Sequence, residues 1–172
     1  MKTLSIIRHA KAVQPEEAPT DFDRPLTKRG QKDAIQLGTV LAALQPAVDW
    51  VISSPALRTR ETAELLAKTV PYPKPIQWEE SAYLAEAEQW LALLKNAPPE
   101  AQHVAIIGHN PGLADLVAGL VAGNATHLNF NLPTAAIVHL ELEIFWWNQI
   151  RWGCGQLHLL LPPKLVRKVQ ES

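Results

Sequence analysis

The sequence predicts an α/β protein, a three-layer α/β/α arrangement around a mostly parallel sheet, and three observations carry that prediction. Short apolar runs alternate with segments of helical periodicity, the pattern of βαβ units whose strands run parallel. Three of the runs, Thr3 to Ile7, Val48 to Ser53 and His103 to Gly108, pass directly into polar residues, and behind two of them, at Ser54-Pro55 and Asn110-Pro111, a helix-starting signal follows at once. Beyond Pro133 the pattern turns to β runs, which places one or two antiparallel strands at an edge of the sheet.

Thr3 to Ile7 reads as the first strand because β-branched and apolar residues run up to a charge at Arg8. The loop Gln14 to Arg24 is rich in Pro and acid. It leads to Thr27, an N-cap for a helix with the apolar stripe Ala34, Leu37, Gly38, Leu41 and Leu44. After the strand Val48 to Ser53, Ser54 reads as an N-cap with Pro55 at the first helical position, and that helix runs through Leu66 to about Val70. Pro71, Pro73 and Pro75 break the pattern before a short strand, Ile76 to Trp78. A third helix carries Ala87, Trp90, Leu91 and Leu94 and ends near Pro98-Pro99. Behind the strand His103 to Gly108, Asn110-Pro111 opens a helix that buries Leu113, Leu116, Val117 and Leu120, with Gly123 or Asn124 at its end. The late β runs are Ala136 to Glu143, Trp146 to Trp152 and Gln156 to Leu161, stopped by Pro162-Pro163.

Composition narrows the function classes. A chain of 172 residues, 47% hydrophobic and 19% charged, reads as one globular domain over 1–172. A formal net charge of −1 argues against a broad nucleic-acid surface. The lone Cys154 cannot form an intrachain disulfide, and the apolar stretch before Arg8 is too short for a signal sequence or a membrane span. Cytoplasmic residence is the expectation. Residues 71–102 already hold a strand and a helix, which leaves no room for a cap domain, so the pocket should be open.

The chemistry gathers at three strand ends. Arg8-His9 follows the first strand, Ser53 to Ala63 (containing Ser54 and Arg58) follows the second, and Gly108-His109-Asn110-Pro111-Gly112 follows the fourth. In an open α/β sheet the carboxyl ends of the strands face one crevice. Arg8 and Arg58 can then grip one oxyanion through paired hydrogen bonds, helped by helix N-termini and by Ser54, His109 and Asn110. Phosphate fits this best. His9 and His109 lack the HxH or HxxxH spacing of a metal site, so no metal and no cofactor is expected. The other use of a neutral imidazole beside phosphate is attack on phosphorus, with a covalent phosphohistidine and with Arg8, Arg58 and His109 stabilising the transition-state charge.

These motifs, in this order, resemble the histidine phosphatase superfamily. Asp23-Arg24-Pro25-Leu26-Thr27, Gly108 to Gly112 and Leu132-Pro133-Thr134 resemble its small SixA-type phosphohistidine phosphatases more closely. The resemblance covers nearly the whole chain and implies a phosphoglycerate mutase-like fold with His9 as nucleophile, Arg8 and Arg58 on phosphate and His109 completing the pocket. It also implies a phosphorylated protein partner, such as a histidine-phosphotransfer domain of a phosphorelay.

Two departures bear on substrate choice. Ala10 stands where the superfamily usually has Gly. The stretch Ala82-Tyr83-Leu84-Ala85 lacks the carboxylic acid that larger members use to protonate a leaving oxygen, so the donor is Glu80, Glu86 or solvent. Without a donor an alkoxide leaves poorly, whereas an imidazole protonated at its other nitrogen departs neutral, with a conjugate-acid pKa of ~6.5.

Other residues have plainer readings. Lys11 adds positive potential at the pocket mouth, Arg60 is a helix cation within reach of Glu61 or Glu64, and His103, His127, His139 and His158 are structural or surface groups. A small-molecule phosphomonoesterase or mutase-like enzyme, and a phosphate-binding module without turnover, are the competing classes. A monomer is compatible with each of them.

Overall fold

The computed structural model describes residues 1–170. Its strands are β1 (Lys2–Arg8), β2 (Trp50–Ser53), β3 (Gln77–Trp78), β4 (His103–Gly108), β5 (Ile137–Leu142) and β6 (Gly155–Leu161). They form a six-stranded sheet in the order β3-β2-β4-β1-β5-β6. The first four strands in that order are parallel, and β5 runs antiparallel to both β1 and β6. The expected three-layer architecture is the one observed, with β5 and β6 as the antiparallel additions.

Alternation along the central strands sets the layers, because successive side chains leave a strand on opposite faces. Leu4, Ile6, Val104 and Ile106 pack against Trp90 and Leu94 of α3 (Ala87–Lys95) and Leu113, Leu116 and Leu120 of α4 (Gly112–Ala122). Ile7, Ala105 and Ile107 face the other way, against Leu37 and Leu41 of α1 (Lys28–Ala43) and Ala63 and Leu66 of α2 (Leu57–Ala67). Each buried Leu or Ile contributes roughly 1.5–3 kcal/mol, so both faces of the central strands are firmly covered. No helix among the described residues is long and apolar enough to cross a membrane.

Local chemistry explains most of the boundaries. The Thr27 hydroxyl accepts the Gly30 N–H at 3.0 Å and starts α1. Glu86 and Gln89 form a capping box on α3. Gly123, at φ 80°, ends α4 in the left-handed conformation that a side chain resists. Residues 71–102 hold only β3, a 3-10 turn at Glu80–Ala82 and α3, so no cap domain is present there.

Three expectations need correction. Helix α2 begins at Leu57, because the Ser54 hydroxyl is taken by His109 and the chain stays extended through Ala56. Helix α4 begins at Gly112, one residue beyond the proline expected inside its first turn. Trp146 to Trp152 is a loop with a 3-10 turn at Trp147–Gln149. There the Gln149 side chain accepts the Phe145 and Trp146 N–H groups, and buried Trp147 donates its indole N–H to the Ala101 carbonyl at 2.8 Å. Pro162-Pro163 follows the end of β6 at Leu161 as expected, and Pro163 opens a helix that was not foreseen, α5 (Pro163–Gln170), at a position where its missing N–H costs nothing; α5 packs on α1.

One polar network lies inside the sheet. His103 Nδ1 is 2.7 Å from the Pro46 carbonyl, which can only accept, so Nδ1 carries the hydrogen and Nε2 is left to accept from the Ser5 hydroxyl at 2.8 Å. The Ser5 oxygen then accepts from His139 Nδ1 at 3.0 Å. Burial lowers His103 from 6.5 to about 4, against the raising effect of its bond to Pro46. The folded protein thus binds its proton less well than the unfolded chain. This group's stabilisation is complete above pH 6.5 and is lost as pH falls through 4, a loss of about 3 kcal/mol. Denaturant unfolding at pH 7.5 and pH 4.5 should show that decrease, and His103→Gln should make it shallower; equal slopes in the two proteins would refute the assignment.

Candidate active site

The parallel order β2-β4-β1 places three carboxyl ends side by side, and the expected residues meet there. Arg8 ends β1, His9 follows it, His109 follows β4, and Arg58 lies in the first turn of α2 behind β2. The imidazole centroids of His9 and His109 are 5.4 Å apart. Arg8, His9, Arg58, His109 and Asn110 line one cavity of about 690 Å³, joined by Lys11, Asp21, Arg24 and Thr134. Ser54 stands behind it. It is fully buried, does not line the cavity, and holds His109 Nε2 at 2.8 Å.

A hydrogen bond decides which His9 nitrogen is free. Nδ1 lies 2.8 Å from the Ala10 carbonyl, an obligate acceptor, so Nδ1 is protonated and Nε2 keeps its lone pair. Burial drives the ring down to about 4 although this bond raises it, and the charges of Arg58, Arg8 and Arg24 add to the lowering. His109 falls further, to about 3, through burial first and then the charges of Arg58 and His9. Both rings are neutral at pH 7.

The two guanidiniums are seated from behind. Arg8 Nη1 donates to the Leu132 carbonyl at 3.0 Å, and Asn110 Nδ2 donates to the same oxygen at 2.9 Å. Arg58, only 3% exposed, donates through Nη1 to the Asp21 carbonyl and through Nη2 to the Asp21 carboxylate at 2.9 Å. Among the described residues, six buried side-chain nitrogen or oxygen atoms have no hydrogen-bond partner. Four belong to this site: Arg8 Nε, Arg58 Nε, His109 Nδ1 and Asn110 Oδ1. Native folds leave few such atoms, so their concentration here marks hydrogen-bonding capacity held for something other than the fold.

The backbone after His9 is held just as firmly. The Ala10 N–H donates to Thr62 Oγ1 at 3.1 Å, and Thr62 in turn donates to the Arg58 carbonyl, which ties the His9 loop to the Arg58 turn. The Ala10 methyl is buried with Leu26, Ala34 and Ala135, away from the cavity, so the replacement of glycine does not crowd the site. Gly30 lies so close to residue 11 that a Cβ would collide with the Lys11 carbonyl. That contact fixes the entry of α1 against the loop.

Asp21 and Tyr83 were not foreseen. The Asp21 carboxylate accepts from Arg58, from Arg24 at 2.8 Å and from the Tyr83 hydroxyl at 2.7 Å, while the Tyr83 ring stands edge-on to His109. Partial burial pushes Asp21 up, but the hydrogen bonds from Tyr83, Arg24 and Arg58 outweigh it and hold the carboxyl well below the usual carboxylate range. The only hint in the sequence was an acid three residues before Arg24. Neither Glu80 nor Glu86 lines the cavity. Arg60 pairs with neither Glu61 nor Glu64; it lies over the Trp78 ring at 4.8 Å, and Glu61 accepts the Leu26 N–H instead. Lys11 sits at the rim as expected. No group of three or more His, Cys, Asp or Glu among the described residues could hold a metal ion.

A parallel-sheet edge carrying a half-buried Arg8, a buried Arg58 and two neutral histidines defines a phosphatase-type site, and the comparisons with known proteins agree with it. The family model described as histidine phosphatase superfamily (branch 1) matches residues 4–88. An uncharacterised Mycobacterium tuberculosis protein is 31% identical over 157 residues, covering 88% of this chain and 96% of the relative. A solved structure from Nakamurella multipartitia, described as a phosphohistidine phosphatase SixA, superposes with a TM-score of 0.80 at 26% identity, over 94% of this chain and 96% of that one. A protein histidine phosphatase SixA solved with tungstate gives 0.79 at 25% identity, over 95% and 99%. The chain belongs to the histidine phosphatase superfamily, and its similarity within it is to the SixA type.

The His9 environment predicts a pH profile. A nucleophilic imidazole works deprotonated, so kcat/KM, which reports the free enzyme, should show no loss from His9 protonation down to about pH 5 and should fall as pH drops through 4. An acid limb near the ordinary histidine value, with the fold intact by circular dichroism, would refute this.

Proposed function

We propose that the protein is a metal-independent phosphatase that removes the phosphoryl group from phosphohistidine on a protein, by way of a covalent phosphohistidine on His9. The observation that carries this reading is the pairing of a free His9 Nε2 with a cavity that has no carboxylic acid ready to donate a proton. Among the described residues its carboxylates are Asp21 and Asp33; arginines hold both, and Asp21 is kept ionised.

Nε2 attacks phosphorus, the P–N bond to the substrate imidazole breaks, and the departing ring leaves neutral because solvent protonates its other nitrogen. Arg8 and Arg58 spread their hydrogen bonds over the phosphoryl oxygens as charge builds. In the proposed reaction the Ser54 hydroxyl donates to His109 Nε2, so that His109 Nδ1 carries a hydrogen and offers a further donor. Water then attacks the phosphorus on His9, the P–Nε2 bond breaks, inorganic phosphate leaves, and the water proton passes to solvent. An alkyl phosphate would need an acid to protonate its oxygen, and Asp21 cannot serve at neutral pH. The open cavity, with no cap domain over it, suits a phosphorylated side chain presented by another protein, such as a histidine-phosphotransfer domain.

One assay comparing a phosphohistidine protein with a panel of phosphate esters tests the reading, and faster turnover of the esters would overturn it. His9→Ala should lower turnover by at least ~10³-fold with the fold unchanged. His109→Ala should lower kcat by ~10²-fold while phosphate affinity shifts much less. Substantial activity in His9→Ala removes the nucleophile assignment.

A further inference from the structure

The cavity is larger than a phosphoryl group requires. Past Arg8 and Arg58 it runs along the first turns of α1 to α5, where Arg29, Asp33 and Arg167 line it, and the same three residues line an adjoining depression of about 600 Å³. Its wall carries six Lys or Arg side chains and two carboxylates, in a chain whose formal net charge is −1. Positive charge is therefore concentrated at this face and compensated elsewhere, an arrangement that focuses the field on the cavity.

On the outer wall three cations, Lys11, Arg29 and Arg167, stand against one carboxylate, Asp33. Asp21 is occupied by Arg58, Arg24 and Tyr83. Asp33 is 5% exposed and accepts Arg167 Nη1 at 2.6 Å, with Arg29 Nε at 4.0 Å. That leaves Lys11 with no side-chain partner among the described residues. Arg29, 61% exposed, has among the described residues only the long contact to Asp33. Rim cations in excess of their counter-charge suit anions presented by a partner surface, whereas Arg8 and Arg58 suffice for the phosphoryl group itself.

We infer that Lys11, Arg29 and Arg167 form a second anion subsite, which takes carboxylate side chains flanking the phosphorylated residue of a protein substrate. The Asp33–Arg167 ion pair anchors α5 as the wall of that subsite. The inference rests on the protein-substrate reading above and adds what that substrate must carry: acidic neighbours on the side facing α1 and α5.

The test uses two phosphohistidine peptides of equal length, one flanked by Asp and Glu and one by Ser and Asn. Wild-type protein is compared with Lys11→Ala/Arg29→Ala, whose sites are exposed, and with Asp33→Asn/Arg167→Gln, which exchanges the ion pair for a neutral hydrogen-bonding pair. Wild type should prefer the acidic peptide by about tenfold in kcat/KM, through KM, and the preference should shrink with added salt. Each double variant should bring the preference within about twofold, lowering kcat/KM for the acidic peptide several-fold more than for the neutral one. No preference in wild type, or the same preference in all three proteins, overturns the subsite. If neither peptide is turned over but phosphate esters are, the phosphohistidine reading fails. The subsite is then judged by the same three proteins on acidic and neutral phosphoserine peptides and on an ester bearing a second phosphate. A preference confined to the bisphosphate overturns the acidic-protein assignment.

Discussion

The hydrogen bond from His9 Nδ1 to the Ala10 carbonyl is the constraint on which the site depends, because it determines which imidazole nitrogen is left unprotonated toward the cavity. The bond lasts only while the carbonyl stays in place. Ala10 is held by its N–H to Thr62, by its methyl in the small cluster with Leu26, Ala34 and Ala135, and by the preceding backbone, where the Ala135 N–H lies within hydrogen-bonding distance of the Arg8 and His9 carbonyls. A tautomer is thus enforced by packing, and burial keeps the ring neutral.

Charge at the site follows the same logic. Two guanidiniums in a partly buried pocket repel each other and lower each histidine, so the fold needs counter-charge close by. Asp21 provides it for Arg58 without entering the sheet, since it sits on the loop between β1 and α1 and is fastened by Arg24 and Tyr83. The carboxylate that steadies Arg58 is by that same fastening unable to act as an acid. The proposed preference for a nitrogen leaving group rests on that fastening.

The strands and most helices were legible because their signals are local. β-branched and apolar runs, the Thr27 cap and the Gly123 terminus each act over a few residues. The errors have a common physical origin in side chains serving distant partners. Ser54 looks like an N-cap but is drawn to His109, Trp146 to Trp152 has strand composition but turns because Trp147 must reach Ala101, and Arg60 leaves its helical neighbours for the face of Trp78. Helix α5 was missed because a Pro pair reads equally well as a stop or as a first turn, and its Arg167 finds its partner, Asp33, far away in the chain on α1.

By itself the sequence determined the fold class, the three motif-bearing strand ends, and Arg8, His9, Arg58 and His109 as the residues to converge there. Strand ends in a parallel sheet have one shared edge, so order along the chain is enough to gather them. Only the tertiary structure decided the His9 tautomer, the withdrawal of Ser54 behind His109, the entry of Asp21 and Tyr83, and the basic wall that α5 completes. Those depend on contacts between residues far apart in the chain, and the distances that govern hydrogen bonds and ion pairs exist only once the layers have packed.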